Sequence, residues 1–404
     1  MKNEKRKLPE GWAKSKLSEL AEYINGKAFK PEEWEKEGTP IIRIENLTDE
    51  KAPFNYYRDE CKEKYKIVDG DLLVSWSATL DAFIWQRGSA YLNQHIFKVV
   101  PSENKVNNFF LYFLLRYSMK KLRENIHGAT MQHITKPKFD NFEVIHPKDI
   151  EDQIRIANEL ERKMAEIDKM YQAALSQKEA IAAMQGAILR EVFPYKEGDK
   201  LPEGWRWVKL KKISMNIQYG ISKSSSPNKV GPKLLRITDI QEGKVDWSKV
   251  PYCQCNGDEE ENYLLDDGDL VFTRTGATTG KSFLVESPDY ALFASYLIRV
   301  QCDKTIANPN YLYSFFQSPN YWYIINQKSR GGTLAGFNAT MLSELKIPLP
   351  PTLDDQITIA NELERKMAET EKMRQAADNQ LEAIDALPGA ILRMAFDFEE
   401  EEAS

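Results

Sequence analysis

No apolar run in this chain approaches the ~20 residues that a bilayer-spanning helix needs. Its first residues, MKNEKRKLPEGW, hold no apolar stretch of the kind a secretory signal carries. The expectation is a cytoplasmic protein without membrane contact. Cysteine is scarce: Cys61, Cys253, Cys255 and Cys302 are scattered, and the one-residue gap of Cys253-x-Cys255 is not the two-residue gap of a zinc knuckle. Free thiols and no metal site are expected. Histidine is equally sparse, with four in the chain and no HExxH-like pair. No paired-carboxylate, Cys/His or serine-triad constellation stands out. Also missing is the Asn-Pro-Pro-aromatic segment with which an amino-methyltransferase holds a flipped base. Together these absences favour a binding module over an enzyme.

What is present excludes disordered and fibrous classes: 404 residues, 42% hydrophobic and 11% aromatic, suffice for two or three domains with buried cores. The net charge of −6 speaks against a nucleic-acid partner only on average. Residues 151–193 hold 8 acids against 6 bases and residues 354–404 hold 14 against 5, which leaves +5 on the rest of the chain. That surplus is compatible with phosphate binding.

The dominant feature is a repeat. IANELERKMAE at 156–166 returns letter for letter at 359–369. LPEGW at 8–12 recurs at 201–205, DGDLL at 69–73 recurs as DGDLV at 267–271, and GAILR at 186–190 recurs at 389–393. The offset grows from 193 to 198 to 203, so the helical parts match in length while the portions between them differ. A 3-4 spacing of mainly apolar residues (Leu160, Met164, Ile167, Tyr171, Ala174, Ile181, Ile188) predicts a long helix, and Leu363, Met367, Ala377, Leu381, Ile384 and Ile391 predict its copy. Asp149 and Thr352 stand as N-caps. Lys178, Thr370 and Arg374 interrupt the apolar seam, and Pro388 is expected to kink or break the second helix near its end. A plain core helix in a bundle is the alternative, but ~40 residues would span roughly 60 Å, which favours a paired helix.

The expected fold is α+β: two α/β domains separated by two long antiparallel, coiled-coil-like helices in a pseudo-two-fold repeat. The boundaries read 1–149 for the first domain, 150–193 for the first helix, 194–351 for the second domain, 352–396 for the second helix and 397–404 for an acidic tail. PIIRIENL and KLLRITDI are matched strand candidates, as are DLLVSWSA and DLVFTRTG. NNFFLYFLLRYSMKKLREN and NPNYLYSFFQSPNYWYIIN read as one matched helix in each domain.

RTGATTGKS at 274–282 invites a nucleotide-binding reading. A P-loop needs four residues between its first glycine and the Gly-Lys pair, whereas Gly276 and Gly280 enclose three, and the residues after Lys281 read as a strand where a helix is required. A glycine-rich turn exposing basic and hydroxyl groups to DNA is the better reading. SRGGTLAGFN at 329–338 is a lone glycine cluster without dinucleotide spacing.

These residues, in this order, resemble the specificity (S) subunit of type I DNA restriction-modification systems. LPEGW opening each half, SWSATLDAFIW and LNQHIFKV in the first domain, RTGATTGK in the second, and IPLPP before DDQITIANEL carry the likeness over essentially the full length. The resemblance implies a non-catalytic subunit with two target recognition domains, each reading one half of a bipartite sequence in double-stranded DNA. The helical pair would be a ruler and a docking surface for two methyltransferase (M) subunits and, through them, restriction (R) subunits. The chain would hold no cofactor; adenosylmethionine, ATP and magnesium would belong to those partners. Candidate DNA-binding residues are Lys27, Lys30, Arg43, Ser75, Trp76, Gln132, His133 and Lys136 in the first domain. In the second they are Lys223, Ser224, Ser225, Ser226, Arg236, Arg274, Thr275, Thr278, Thr279, Lys281 and Arg330. The rival from another class is a non-catalytic coiled-coil scaffold whose end domains bind proteins.

Overall fold

The computed structural model of the protein describes residues 6–77, 79–124, 134–241, 243–329 and 337–399. The chain divides into two compact units, one of Met1–Ala174 with Asn379–Ser404 and one of Leu175–Asp378.

In the first unit, strands β1 (Ala21–Asn25), β2 (Leu72–Ser75), β3 (Asp81–Ile84) and β4 (Ile96–Pro101) form an antiparallel sheet in the order β1-β4-β2-β3. Helix α1 (Asn108–Glu124) covers it, burying Phe110, Leu111, Leu114 and Leu115 against Leu72, Val74 and Phe97. Burying each such side chain stabilises the unit by ~1.5–3 kcal/mol. A smaller sheet places Thr39–Ile42 parallel to Ala90–Leu92.

The long helix α2 (Ile150–Val192) leaves this unit at Asp149, whose carboxylate accepts the backbone N–H of Glu151 at 2.9 Å. Its first turn is clamped by Gln153, an interior amide. The Gln153 oxygen accepts from the Asn107 backbone N–H at 2.8 Å, and its nitrogen donates to the carbonyls of Lys105 (3.1 Å) and Pro147 (2.9 Å).

The second unit repeats the plan. Strands β5 (Ser214–Tyr219), β6 (Leu270–Thr273), β7 (Ser282–Leu284) and β8 (Leu297–Cys302) take the order β5-β8-β6-β7, all antiparallel. The registers agree: Phe97 faces Asn25 as Ile298 faces Tyr219, and Lys98 faces Leu73 as Arg299 faces Val271. Gly26 and Gly220 are required by close approach, since a Cβ would lie 2.0 Å from the Asn93 oxygen in one unit and 2.3 Å from the Ala294 oxygen in the other.

Three expectations need correction. The single matched helix of this unit is two, α3 (Pro309–Gln317) and α4 (Pro319–Ser329), because Pro319 starts a new helix at its N1 position. The strands expected through PIIRIENL and KLLRITDI stop at Ile42 and Leu235. Beyond them Asn46 and Asp239 accept the backbone N–H groups of Arg43 and Arg236 and turn the chain into short helices at Ile44–Thr48 and Ile237–Asp239. The second long helix, α5 (Leu353–Phe396), runs through Pro388 without a break. Beyond the proline, Leu392 and Phe396 are buried in the core of the first unit, and that packing outweighs the lost hydrogen bond.

Thr352 caps α5, its hydroxyl accepting from the Asp355 N–H at 3.1 Å, and Gln356 repeats the clamp of Gln153 with Asn308 (2.9 Å) and Ile306 (3.1 Å). Each unit holds part of both long helices. In the first, Ile167, Ala174 and Ile384 are buried together. In the second, Lys178 pairs with Asp378 (2.6 Å), Gln185 with Thr370 (3.4 Å) and Glu191 with Lys366 (3.8 Å), so α2 advances as α5 retreats and the two run antiparallel there. The polar interruptions of the seam are thus paired; Arg374 also bonds Glu371 and Asp378.

The ends of the helices are equivalent too. Phe193 packs on Tyr311 and Phe315 in the second unit, and Phe396 packs on Phe110 and Tyr117 in the first. In the first unit Arg6–Lys7 pairs in parallel with Phe398–Glu399, beside a contact of 4.8 Å between the rings of Trp12 and Phe398. The counterpart in the second unit is Tyr195 against Trp205 at 6.1 Å. Among the described residues no helix is long and apolar enough to cross a membrane.

Candidate nucleic-acid interface

The sheet equivalence gives Trp76 and Arg274 matching positions, each the residue that follows an interior strand, β2 in one unit and β6 in the other. Trp76 donates its backbone N–H to the His95 carbonyl (3.2 Å) and Arg274 donates to the Tyr296 carbonyl (3.1 Å). The side chain of Trp76 stacks on Phe97 with centroids 5.8 Å apart, contacts the His95 ring at 4.8 Å and donates its indole N–H to the Asn25 amide oxygen at 3.3 Å. Arg274 lies instead over Tyr219, the counterpart of Asn25, with 4.6 Å from guanidinium carbon to ring centroid. One fold position therefore carries an aromatic group in one unit and a cation in the other.

Most of the predicted cations are held by carboxylates. Lys27 pairs with Glu33 at 3.0 Å and sits 3.9 Å from the Tyr57 ring centroid; burial works against its charge, but bonds to Tyr57 and Glu33 outweigh that and raise its pKa. Arg43 pairs with Glu45 at 2.9 Å, and Lys136 with Asp140 at 3.1 Å. Lys223 bonds Glu259 at 2.8 Å, which raises the pKa of the lysine and lowers that of the glutamate. Arg236 grips both oxygens of Asp239 at 3.0 and 2.7 Å and reaches the Ser225 hydroxyl at 3.4 Å. Lys30, Arg274 and Lys281 form no ion pair among the described residues.

The hydroxyl candidates divide similarly. Ser75 and Thr279 are interior, 0% and 5% exposed, and their hydroxyls donate to the carbonyls of Ser77 (3.0 Å) and Gly276 (2.7 Å). Neither presents a surface to a DNA groove, so both leave the candidate set. Ser224, Ser225 and Thr275 are exposed, Thr278 is half-buried with its carbonyl accepting from the Thr273 hydroxyl, and Ser226 pairs through its backbone with Tyr252 at 2.7 and 2.8 Å. Gln132, His133 and Arg330 lie outside the described residues.

The glycine-rich segment makes a short helical turn at Gly276–Thr278, with Gly276 at φ +78°, and then enters strand β7. No helix begins after Lys281, so a phosphate would meet no aligned row of helix N–H groups there. Among the described residues no group of three or more His, Cys, Asp or Glu is placed to hold a metal ion.

Sequence reasoning missed Asn25, Tyr219, His95 and Tyr296. The alignment of Asn25-Gly26 with Tyr219-Gly220 was the available signal. Tyr296 is 61% exposed beside Arg274, a high value for an aromatic side chain.

Comparison with known proteins adds the following. The family model described as the type I restriction modification DNA specificity domain matches residues 9–176 and again 202–383. The specificity subunit of the Escherichia coli type I restriction enzyme EcoBI is 26% identical over 414 residues, covering 96% of this chain and 86% of its own. That of Methanocaldococcus jannaschii MjaVIII is 23% identical over 388 residues, covering 88% and 86%. Among solved structures, a chain from work on complex assembly and conformational transition of the type I R-M system aligns with a TM-score of 0.79 at 18% identity, over 96% of this chain and 98% of that one. The HsdS subunit of Thermoanaerobacter tengcongensis aligns at 0.60 and 19%, over 98% and 99%.

Proposed function

The chain belongs to the type I restriction modification DNA specificity family, and on that premise we propose that it is a non-catalytic subunit that reads a bipartite sequence in double-stranded DNA. Residues 1–149 and 194–351 act as the two recognition domains, one half-site each. Two methyltransferase subunits dock on the helical pair and restriction subunits join through them; the chemistry and its cofactors reside in those partners. The long helices 150–193 and 352–396 act as the ruler between the half-sites.

The observation that carries this reading is the repeated module itself. Sheet order, strand register, buried glutamine clamp and close-approach glycine agree between the units, while the residue after the matching interior strand is Trp76 in one and Arg274 in the other. A scaffold held constant around changing tips suits two readers of different base sequences. Backbone contacts would fix register, and groups reaching base edges in the major groove would select sequence.

The test is methylation of a random-sequence duplex pool by the chain assembled with its methyltransferase subunits. Methylated molecules are expected to share two short conserved blocks separated by a gap of fixed length and free sequence. One uninterrupted block, or methylation without preference, would defeat the proposal.

A further inference from the structure

We propose that Arg274 reads a guanine in the half-site of the second recognition domain, with Tyr219 as the positioning residue beneath it. This rests on the reading above that the chain binds duplex DNA. Arg274 follows strand β6 directly, and its backbone bond to Tyr296 fixes where the side chain starts. The guanidinium then lies over the Tyr219 ring at 4.6 Å. That ring is itself anchored, because the Tyr219 hydroxyl accepts the Ala339 backbone N–H at 3.1 Å.

The donors of Arg274 are left largely uncommitted. One N–H reaches the Ser295 carbonyl at 3.4 Å, a long bond, and no carboxylate pairs with the side chain among the described residues. Arg236 shows the contrast, with its fork closed on both oxygens of Asp239. An open guanidinium fork matches the O6 and N7 acceptors of guanine in the major groove. A phosphate contact needs only the charge, which a loosely held lysine supplies as well. A planar group held flat on an anchored ring is preorganised for an orientation-dependent contact, and that favours a base edge. In the first unit the equivalent Trp76 has no such fork, its N–H directed to Asn25, so the two half-sites are read with different chemistry at this position.

The experiment repeats the random-pool methylation with complexes containing Arg274→Lys, Arg274→Ala, Tyr219→Phe and Tyr219→Ala. Lysine keeps the charge and loses the planar fork. Both arginine variants are expected to relax the preference for a single G·C pair in one half-site by about 5- to 150-fold, with every other position retained. Tyr219→Phe, which keeps the ring but loses the hydroxyl that anchors it to Ala339, should weaken that preference in part, and Tyr219→Ala should weaken it further at the same position. Should Arg274→Ala fail to assemble, Arg274→Lys decides. Equal loss at all sequences would mean a phosphate contact, and an unchanged profile or relaxation at an A·T pair would equally overturn the assignment. A wild-type complex that methylates without sequence preference would instead bring down the underlying DNA-reading function.

Discussion

Asp269 and Arg299 form a pair that is almost completely buried yet 3.7 Å apart, too far for the attraction to offset the lost hydration of the carboxylate. Burial lifts the Asp269 pKa to about 6. The unfolded chain releases that proton near 4, so between these values the native state holds a proton that the unfolded state has lost. The contribution to stability is complete below about 4 and disappears as pH rises through about 6. Urea midpoints of wild type and Asp269→Asn across pH 4–7 should show the wild type losing ground over that window and running parallel above it; parallel behaviour throughout would refute the assignment. Single residues were also where sequence reading was weakest. It found the cations but not their neutralisation, because Glu33 stands 6 residues from Lys27 and Glu259 stands 36 from Lys223. Ser75 stood among the candidate DNA-binding residues, and only its position in a fully buried strand removes it.

Elements were more legible where their period was long. The two 3-4 seams are visible over ~40 residues, and the helices span Ile150–Val192 and Leu353–Phe396. Short elements yielded to local chemistry instead: Asn46 and Asp239 curtail strands, and Pro319 divides a helix. Pro388 went the other way, because the apolar residues beyond it have a core to enter. Its ring still removes the bond to the Ile384 carbonyl, and the matching position in α2 is Gln185. Pro388→Ala should therefore stabilise the protein by up to ~3 kcal/mol. The thermal midpoint of the purified variant is the check, and a lower one would mean that the helix relies on the proline's geometry.

At the scale of the whole molecule the repeat was the most legible feature, since eleven identical letters leave little room for another reading. If the paired helices are the ruler, lengthening them should change the gap and leave both half-sites intact. Four residues inserted within 167–180, with the seam register repaired, add about 6 Å. That equals one or two base pairs of duplex at ~3.4 Å each. Methylation mapping of this variant should return the same two blocks with a longer gap; altered blocks with the old gap would remove the helices from that role. An antiparallel helical pair already implies that the chain returns to the first domain, but the pairing of residues 6–7 with 398–399 was not legible, because two-residue strands have no periodicity to reveal them. Trp12 and Phe398 meet there much as Tyr195 and Trp205 meet within unbroken chain in the other unit. The same kind of junction is thus built once within continuous chain and once from segments remote in sequence. A permuted chain in which a linker joins these two segments and the cut falls between 195 and 205 should fold to the same two units, and its thermal midpoint beside that of the native order is the check.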